Sequence, residues 1–370
     1  MAPYNSETTA QQVALDCQTQ ITNKTLLVTG ISPGGLGAEF VTTIAKYGPA
    51  CIILATRNLE SAKETARNVA AASPAVRTWP IELDLASIKQ VKEAAKKIEA
   101  LGERIDIIVN NAGIMAPPYA KTLDGIESQF GINHIGHFLL TNLLLPGILK
   151  NKLPVRIVNV TSNGFRFGPV RFEDCNYGDG DKYNRWIAYG QAKSSNMLFS
   201  RSLAQKVGSQ GLVSVSLHPG VIPTTRLGKD LEMEDFNEFR ELDRTLGYLS
   251  EYKKPFQFKS PSQGVATHVF AAFHPSLDSS ELNGAYLMDS RVVDSNDIQS
   301  WARDTLDAEK LWALSEEIAT HRAPIFVFNN DREMIFTAPP SPRTSGSSLL
   351  FRPRHPEVGD EHPLRALAAR

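Results

Sequence analysis

The stretch Thr25-Leu-Leu-Val-Thr29-Gly30-Ile31-Ser32-Pro33-Gly34-Gly35-Leu36-Gly37 decides the fold of this chain. A short apolar run ends in a cluster of glycines, and a helical pattern at 38–47 follows it. Glycines between a strand and a helix let the main chain approach a pyrophosphate, which the helix N-terminus attracts. A glycine cluster alone also fits a flexible loop, but its place after a strand and before a helix favours a dinucleotide-binding turn.

Short apolar runs alternate with helical patterns along most of the chain. Strands are predicted at 25–29, 51–55, 79–83, 105–109, 155–160 and 213–217, and helices at 38–47, 59–72, 87–101, 123–149 and 188–207. Short, evenly apolar strands that alternate with helices indicate βαβ units. The sequence therefore predicts an α/β protein, with a Rossmann-type doubly wound parallel sheet and helices on both faces.

Three segments depart from this alternation. Residues 1–22 are a polar N-terminal extension with one short helix at 9–17, and residues 164–185 are predicted to form a long surface loop. From about Ala338 the chain is rich in proline, glycine and serine without periodicity, so residues 338–370 are predicted to be a disordered tail. The single Rossmann domain is expected to span 23–325.

Composition excludes several classes of function. The 370 residues hold 39 Lys and Arg against 40 Asp and Glu, for a net charge of −1, so no basic field attracts nucleic acid. The longest apolar stretch, 138–149, falls short of the roughly 18 residues of a membrane span. The first 20 residues resemble no signal peptide, and the 3 cysteines lie far apart, which fits a reducing compartment. We therefore expect a cytoplasmic protein without an integral membrane segment and without a metal site.

The residues after the second and third strands bear on the cofactor. An acidic residue after the second strand would bind the ribose of NAD, but Arg57 stands there and suits the 2′-phosphate of NADP. The alternative is an exposed arginine that follows a strand. After the third strand, Asp84 either accepts a hydrogen bond from an adenine amino group or caps the helix that begins near Ser87.

A Tyr-x-x-x-Lys pair, Tyr189 and Lys193, provides acid/base chemistry. The spacing places both side chains on one face of a helix, where the ammonium would lower the high pKa of the phenol. In isolation this pattern is an ordinary surface pair. However, Ser162 ends the fifth strand and Asn110 ends the fourth, so both are expected at the sheet edge that holds the glycine turn.

With these motifs in order, the chain resembles a short-chain dehydrogenase/reductase over roughly residues 20–320. The matching motifs are the glycine turn, Asp84-Leu85, Asn110-Asn111-Ala112-Gly113, Asn133, Ser162, Tyr189 with Lys193, and Pro219-Gly220. Within that family it is similar to the retinol dehydrogenase and WW-domain oxidoreductase branch, through the segments 130–145 and 182–190.

The resemblance implies roles for individual residues. Tyr189 would exchange the proton, Lys193 would lower its pKa and hold the nicotinamide ribose, Ser162 would bind the substrate carbonyl, and Asn133 would hold a water that links Lys193 to solvent. The segment 228–262 would form a substrate lid. The cofactor contacts would be Gly30, Ser32, Gly35, Leu36, Gly37, Arg57, Asp84, Leu85, Asn110, Asn111, Ala112, Gly113, Tyr189, Lys193, Pro219, Gly220, Ile222 and Thr224.

One feature departs from the family pattern. Four residues instead of three separate Gly30 from Gly35, and Pro33 is among them. We expect the turn to bulge while Gly35 and Gly37 keep their family roles.

Other candidates are interpreted as structural. His134 and His137 have a spacing that can hold a metal ion, but no third ligand is evident. Cys175 lacks an adjacent cation that would activate it. Apolar residues of the charged run 231–244 either form one side of a solvated helix or cover the substrate.

These observations predict an NADP(H)-dependent oxidoreductase that interconverts a ketone or aldehyde and an alcohol on a lipophilic small molecule. A homodimer formed through helices is an expectation from the family. An alternative is a non-catalytic NADP-binding regulatory or scaffold protein whose tail binds a partner. An epimerase or dehydratase is a weaker alternative, because residues 228–320 leave little room for a sugar-nucleotide domain.

Overall fold

One sheet organises the computed structural model, which describes residues 4–150, 152–228, 231–253, 255, 257–320, 326–328 and 334–336. In this part of the chain the sheet has eight strands in the order β3-β2-β1-β4-β5-β6-β7-β8. They are β1 (Thr25–Thr29), β2 (Cys51–Thr56), β3 (Arg77–Glu82), β4 (Ile107–Asn110), β5 (Val155–Val160), β6 (Leu212–His218), β7 (Tyr286–Met288) and β8 (Arg291–Val292). Neighbouring strands are parallel except β7 and β8, which are antiparallel. Two further strands, β9 (Phe326–Phe328) and β10 (Met334–Phe336), form a separate antiparallel pair.

The helices lie between and after these strands. Their bounds are α1 (Ala10–Asp16), α2 (Gln18–Ile21), α3 (Leu36–Ala45), α4 (Leu59–Ala72), α5 (Ile88–Ala100), α6 (Ser128–Phe130), α7 (Gly136–Leu149), α8 (Arg185–Val207), α9 (Met233–Thr245), α10 (Leu249–Lys253), α11 (Pro261–Phe273) and α12 (Thr305–Thr320). A single π-helical turn, Gly131–Ile135, joins α6 to α7.

Two apolar layers cover the two faces of the sheet. Successive strand residues alternate between the layers: Leu27 packs in one, while Leu26 and Val28 pack in the other. Helices α5, α7, α8 and α12 contribute to the first layer, and α1, α3, α4 and α11 contribute to the second. The doubly wound arrangement that the sequence predicts is therefore confirmed, with β8 as an antiparallel strand at its edge.

The N-terminal extension packs on this body. Thr9 caps α1, because its hydroxyl oxygen accepts the main-chain N–H of Gln12. The side-chain oxygen of Gln12 in turn accepts the main-chain N–H of Thr9. Ala10, Val13 and Ala14 are buried in the second layer, near α11. The predicted short helix at 9–17 is confirmed.

Several sequence-based boundaries are wrong. The helix predicted at 123–149 begins at Ser128 and contains the π-turn. The segment 164–185 is more than a surface loop, because Phe165, Phe167 and Tyr177 are buried in it. The strands β7 and β8 and the helices α11 and α12 were not predicted. Strands β7 and β8 form one edge of the sheet, α12 contributes to the first apolar layer, and α11 contributes to the second.

The chain divides into two units, Met1–Pro339 and Pro340–Arg370, and all described residues belong to the first. The tail predicted at 338–370 lies outside the described residues. One helical stretch, Ser128–Leu149, is long and apolar enough to cross a membrane by length and composition alone, and here most of it is buried among the core residues.

Candidate active site

The carboxyl ends of the central strands bring the candidate residues to one edge of the sheet. Thr29, Asn110 and His218 end β1, β4 and β6, and Ser162 follows β5 by two residues. Since the neighbouring strands run parallel, these ends face the same crevice, where doubly wound proteins bind their ligands.

The enlarged glycine turn forms a tight bend before α3. The N–H of Gly35 donates to the carbonyl of Ser32 at 3.0 Å. Pro33 takes the second position of this turn, and Gly34, with a φ of 78°, takes the third, as a type II turn requires. The additional residue is therefore absorbed by one β-turn, and Gly35 directly precedes α3.

Gly30 needs to be a glycine for two reasons. Its φ is 73°, and a Cβ there would lie 2.6 Å from the Cα of Ala112. The first turn of the fold thus packs directly on the loop after β4. Leu36 and Gly37 begin α3, and Ser32 lies 3.4 Å from the hydroxyl of Thr56 at the end of β2.

The two asparagines after β4 are used inside the protein. The amide of Asn110 donates to Asn159 at 2.8 Å and to Thr141 at 3.1 Å. The amide of Asn111 donates to the carbonyls of Thr29 and Gly30. These side chains hold strand ends together, and the contacts predicted for Asn110, Asn111, Ala112 and Gly113 with a cofactor stay predictions.

Asn133 lies on the π-turn and holds the end of the same loop. Its Oδ1 accepts the N–H of Ile114 at 2.8 Å, and its Nδ2 donates to the carbonyl of Ile114 at 3.0 Å. The side chain therefore pairs with the main chain as a neighbouring strand would. A π-turn inside a helix is frequent at functional sites.

Ser162, Tyr189 and Lys193 come together beside this loop. The side chains of Ser162 and Tyr189 both border Gly164: a Cβ placed there would be 2.9 Å from the Tyr189 ring and 3.5 Å from Ser162 Oγ, which accepts the N–H of Gly164 at 3.1 Å. The Nζ of Lys193 lies 5.4 Å from the centre of the Tyr189 ring and donates to the carbonyl of Val160 at 3.2 Å. Both Tyr189 and Lys193 are 4% exposed, because α8 buries them against the sheet.

Burial shifts the pKa of both groups. It raises the pKa of Tyr189 to about 12, and the neighbouring Ser162 hydroxyl offsets part of this rise. It lowers the pKa of Lys193 to about 8, since burial penalises the ammonium. The lowering of the Tyr189 pKa by Lys193 stays a prediction: burial of the phenol is the largest effect on this pKa, and the ammonium donates to the carbonyl of Val160.

The remaining predicted cofactor residues follow β2, β3 and β6. Arg57 is exposed after β2, and no carboxylate of the described residues pairs with it. The Oδ1 of Asp84 accepts the N–H of Ala86 at 2.9 Å, while Ser87 caps α5, so the capping alternative for Asp84 is wrong.

Leu85 is buried beside Gly136 at the start of α7, and Ile222 is buried against Gly264 of α11. Pro219 and Gly220 are half-buried after β6, and Thr224 is exposed.

Helix α9 forms an apolar wall over this region. Phe239 packs edge-on against Phe167 at 4.7 Å and against Trp186 at 5.0 Å between ring centres. Leu231 and Leu242 pack on the same cluster. Most of the charged run at 231–244 therefore lies in a helix whose apolar residues pack on this cluster. The alternation of charged and apolar residues predicts such a helix but does not show what its apolar side packs against.

A buried ion pair, which the sequence pattern does not predict, holds this helix against the segment after β5. The guanidinium of Arg166 donates two hydrogen bonds to Asp243, at 2.7 and 2.8 Å, and a third to the carbonyl of Asn163 at 2.8 Å. The Arg166 and Asp243 side chains are 7% and 2% exposed. An arginine in an apolar run after Ser162 is the only sequence signal, and nothing local names its partner.

The two helix histidines serve different neighbours. His134 contacts Ser315 of α12 at 2.7 Å, whereas His137 contacts Thr29 of β1 at 2.8 Å. Among the described residues no group of three or more potential ligands surrounds a metal position. Burial raises the pKa of the Cys175 thiol to about 11, which removes nucleophilic character.

Comparison with known proteins agrees with this geometry. The family model for short chain dehydrogenase matches residues 24–235. The chain belongs to the short-chain dehydrogenase family. Mouse retinol dehydrogenase 14 is 35% identical over 303 residues, which cover 79% of this chain and 85% of the relative. The chloroplastic short-chain dehydrogenase TIC 32 A of Brassica napus is 34% identical over 321 residues, covering 84% and 93%.

A solved structure shares the fold of this short-chain dehydrogenase. An uncharacterized protein from Mycobacterium paratuberculosis superposes with a TM-score of 0.61 at 30% identity, over 83% of this chain and 96% of that one. The resemblance to the retinol dehydrogenase branch is confirmed. The chain is an oxidoreductase of the kind that interconverts carbonyls and alcohols, and its family binds a nicotinamide dinucleotide.

Proposed function

We propose that this short-chain dehydrogenase uses NADP(H) to interconvert a carbonyl and an alcohol on a lipophilic small molecule, with Ser162, Tyr189 and Lys193 as its catalytic residues. The observation that carries the proposal is that the Ser162 and Tyr189 side chains stand together beside the buried Lys193 ammonium. A proton donor, an oxyanion partner and a cation thus stand together at the carboxyl edge of the sheet.

Each side chain has a task in carbonyl reduction. The nicotinamide would supply the hydride that reaches the carbonyl carbon. Tyr189 gives its phenolic proton to the carbonyl oxygen, and Ser162 donates a hydrogen bond that stabilises the developing negative charge. Lys193 places a positive charge beside the tyrosinate that forms. In alcohol oxidation the same groups act in reverse.

The pKa values of Tyr189 and Lys193 agree with the protonation states that carbonyl reduction uses. Because the pKa of Tyr189 is about 12, the phenol carries its proton at neutral pH and is ready to donate it. Lys193, with a pKa of about 8, is still largely charged at neutral pH. The two states that reduction needs therefore coexist at neutral pH.

Arg57 supports the preference for NADP(H). It follows β2, where the adenosine ribose lies in dinucleotide-binding folds, and its side chain is exposed. A guanidinium binds a phosphate through paired, charge-assisted hydrogen bonds. The half-buried Asp84 remains our candidate for the adenine amino group.

The residues around the site support a lipophilic substrate. Met115, Ala116, Phe167 and Phe239 form an apolar cluster between the loop after β4 and α9. Segment 228–262, of which α9 is the largest described part, would thus be the lid. One relative is named a retinol dehydrogenase, which agrees with an apolar substrate.

Location and assembly remain predictions. The cytoplasmic location rests on the sequence, and one relative of similar identity is named as chloroplastic. A homodimer would need a surface other than the outer side of α7 and α8. There α12 inserts Trp312 against Phe138 at 5.0 Å and Phe199 at 6.1 Å between ring centres.

The test is oxidation of NADPH in the presence of hydrophobic ketones and aldehydes, with Tyr189→Phe alongside wild type. We expect wild-type turnover and a loss of about 10³-fold in Tyr189→Phe, since general acid catalysis contributes 10²–10⁴-fold. NADPH binding, measured by its fluorescence, should persist. Tyr183→Phe removes another partly buried phenol, which bonds to the carbonyl of Pro117, and is the matched control.

The same assay tests the cofactor. Arg57→Ala should weaken NADPH binding by about tenfold, the equivalent of one charged hydrogen bond, and leave NADH binding unchanged. Preference for NADH in the wild type would contradict this assignment. Near-normal turnover in Tyr189→Phe would contradict the mechanism, and NADPH binding without turnover on any compound would favour the non-catalytic alternative.

A further inference from the structure

The hydroxyl of Thr29 is the centre of a buried hydrogen-bond chain below the glycine turn. It accepts the main-chain N–H groups of Asn111 and Ala112, each at 3.0 Å. It also lies 2.8 Å from the Nε2 of His137. A hydroxyl oxygen has two lone pairs and one hydrogen. Because both lone pairs are occupied by amides, the hydroxyl hydrogen is donated to His137.

The other ring nitrogen of His137 completes this chain. Its Nδ1 lies 3.0 Å from the carbonyl oxygen of Asn133, which is only an acceptor, so Nδ1 carries the hydrogen. The two partners therefore fix one neutral tautomer of the ring. Burial lowers the pKa of His137 to about 4, so the ring stays neutral at physiological pH.

The residues that His137 joins hold the loop after β4 at both of its ends. Thr29 binds the N–H groups of Asn111 and Ala112, and the Asn133 side chain pairs with Ile114. Gly113 lies between these anchors. A Cβ placed on it would be 3.1 Å from Asn133 Oδ1 and 3.6 Å from Lys193 Nζ, so the loop directly borders the lysine.

We propose that His137 is a positioning residue that fixes the loop 111–114 against Lys193 and thereby sets the affinity for the dinucleotide. This inference rests on the proposed function for the role of the loop in cofactor binding. His137 touches no reacting atom. It acts by tying the last residue of β1 to the π-turn, so that the two anchors of the loop keep one spacing.

His134 provides a matched control on the same helical segment. It is as deeply buried as His137, and its Nε2 lies 2.7 Å from the hydroxyl of Ser315 on α12, away from the crevice. Replacement of either histidine by asparagine removes the same ring from the core. Only the replacement at 137 breaks the link between Thr29 and the π-turn.

The experiment compares His137→Asn and His134→Asn with wild type in three measurements. These are thermal stability, amide hydrogen exchange of peptides that cover 111–116, and the Kd for NADPH and NADH from cofactor fluorescence. We expect both variants to lose stability. Only His137→Asn should show faster exchange in this loop and about tenfold weaker dinucleotide binding, with kcat at saturating cofactor changed less than KM.

A second substitution covers the case in which His137→Asn does not fold. His137→Gln keeps an acceptor for the Thr29 hydroxyl and should recover part of the loop protection. Equal loop exchange in all variants would overturn the inference, as would equal effects of the two asparagine variants on the loop. If exchange rises only at 137 but wild type binds neither dinucleotide, the loop-positioning role stands and the proposed function fails.

Discussion

The buried ammonium of Lys193 lowers the stability of the fold and places a positive charge beside Tyr189. Burial lowers its pKa from 10.5 to about 8, so the folded protein holds an ammonium at neutral pH at a cost. At 1.36 kcal/mol per pKa unit this cost is about 3 kcal/mol. We expect Lys193→Met to raise the free energy of unfolding by about 2–3 kcal/mol at pH 7. Urea denaturation of both proteins measures this difference.

The gain in stability should accompany a loss of function. Turnover in the ketone assay should fall to background in Lys193→Met, since the charge beside Tyr189 is removed. Lys206→Met, on the same helix, is the control: its Nζ lies 4.9 Å above the Trp312 ring and serves packing. A Lys193→Met protein less stable than wild type at pH 7 would contradict the assigned cost.

At this scale the sequence predicts residues whose partners are local. Tyr189 and Lys193 are found by their spacing on a helix, and Ser162 by its place after a strand. Thr29 and His137 lie 108 residues apart, and their bond depends on how β1 and α7 pack. The sequence pattern indicates a structural role for His137 but does not show that it joins β1 to the π-turn.

Helix α9, the main part of the proposed lid, is held in part by one buried ion pair. Asp243→Asn would leave the Arg166 guanidinium buried without its counterion, and breaking such a pair costs about 3–5 kcal/mol. We expect this loss in the free energy of unfolding, together with faster proteolysis within α9. The KM for apolar substrates should also rise, because Phe239 loses its fixed position beside Phe167.

Two further variants separate charge from packing. Arg166→Met combined with Asp243→Leu replaces the pair by apolar residues, which often restores stability. Glu241→Gln breaks an exposed pair with Arg244 on the same helix and should change little. If Asp243→Asn is as stable as wild type, the pair does not hold the lid.

The sequence predicts a helix or strand where the residues of that element carry its apolar periodicity. It does not predict an element whose position depends on packing against distant residues. The strands 25–29 and 155–160 and the helix 59–72 match the structure residue for residue, because each carries its own apolar pattern and boundary signals. The π-turn at 131–135 has the composition of an ordinary helix. The position of helix α12 is explained by the packing of Trp312 against Phe138 and Phe199, which the sequence does not reveal.

Buried histidines make the whole molecule sensitive to acid. Burial lowers the pKa of His134 and His218 to about 3, and of His137 and His268 to about 4, against an ordinary 6.5. Between pH 6.5 and about 4 these histidines are therefore protonated in the unfolded chain and neutral in the folded chain. Stability rises with pH wherever the unfolded state binds more protons, so these histidines destabilise the fold as pH falls.

Glu127 acts in the opposite sense. Burial raises its pKa from 4.5 to about 7, so the folded chain holds a proton there that the unfolded chain releases, and this contribution to stability is lost as pH rises through 7. Near pH 5 these four histidines and Glu127 together make the unfolded chain bind about three more protons than the folded chain. Their combined contribution lowers the free energy of unfolding by about 4 kcal/mol for each unit by which the pH falls.

Urea denaturation at pH 7, 6 and 5 measures this slope, and two variants assign it. His134→Asn removes one of the histidines that only the unfolded chain protonates near pH 5. It should reduce the change in the free energy of unfolding by about 1.4 kcal/mol per pH unit. Glu127→Gln removes the opposing carboxyl and should steepen the slope by a similar amount. If wild type is equally stable at pH 7 and pH 5, the buried histidines accept protons in the folded state. The fixed neutral tautomer of His137 would then be wrong as well.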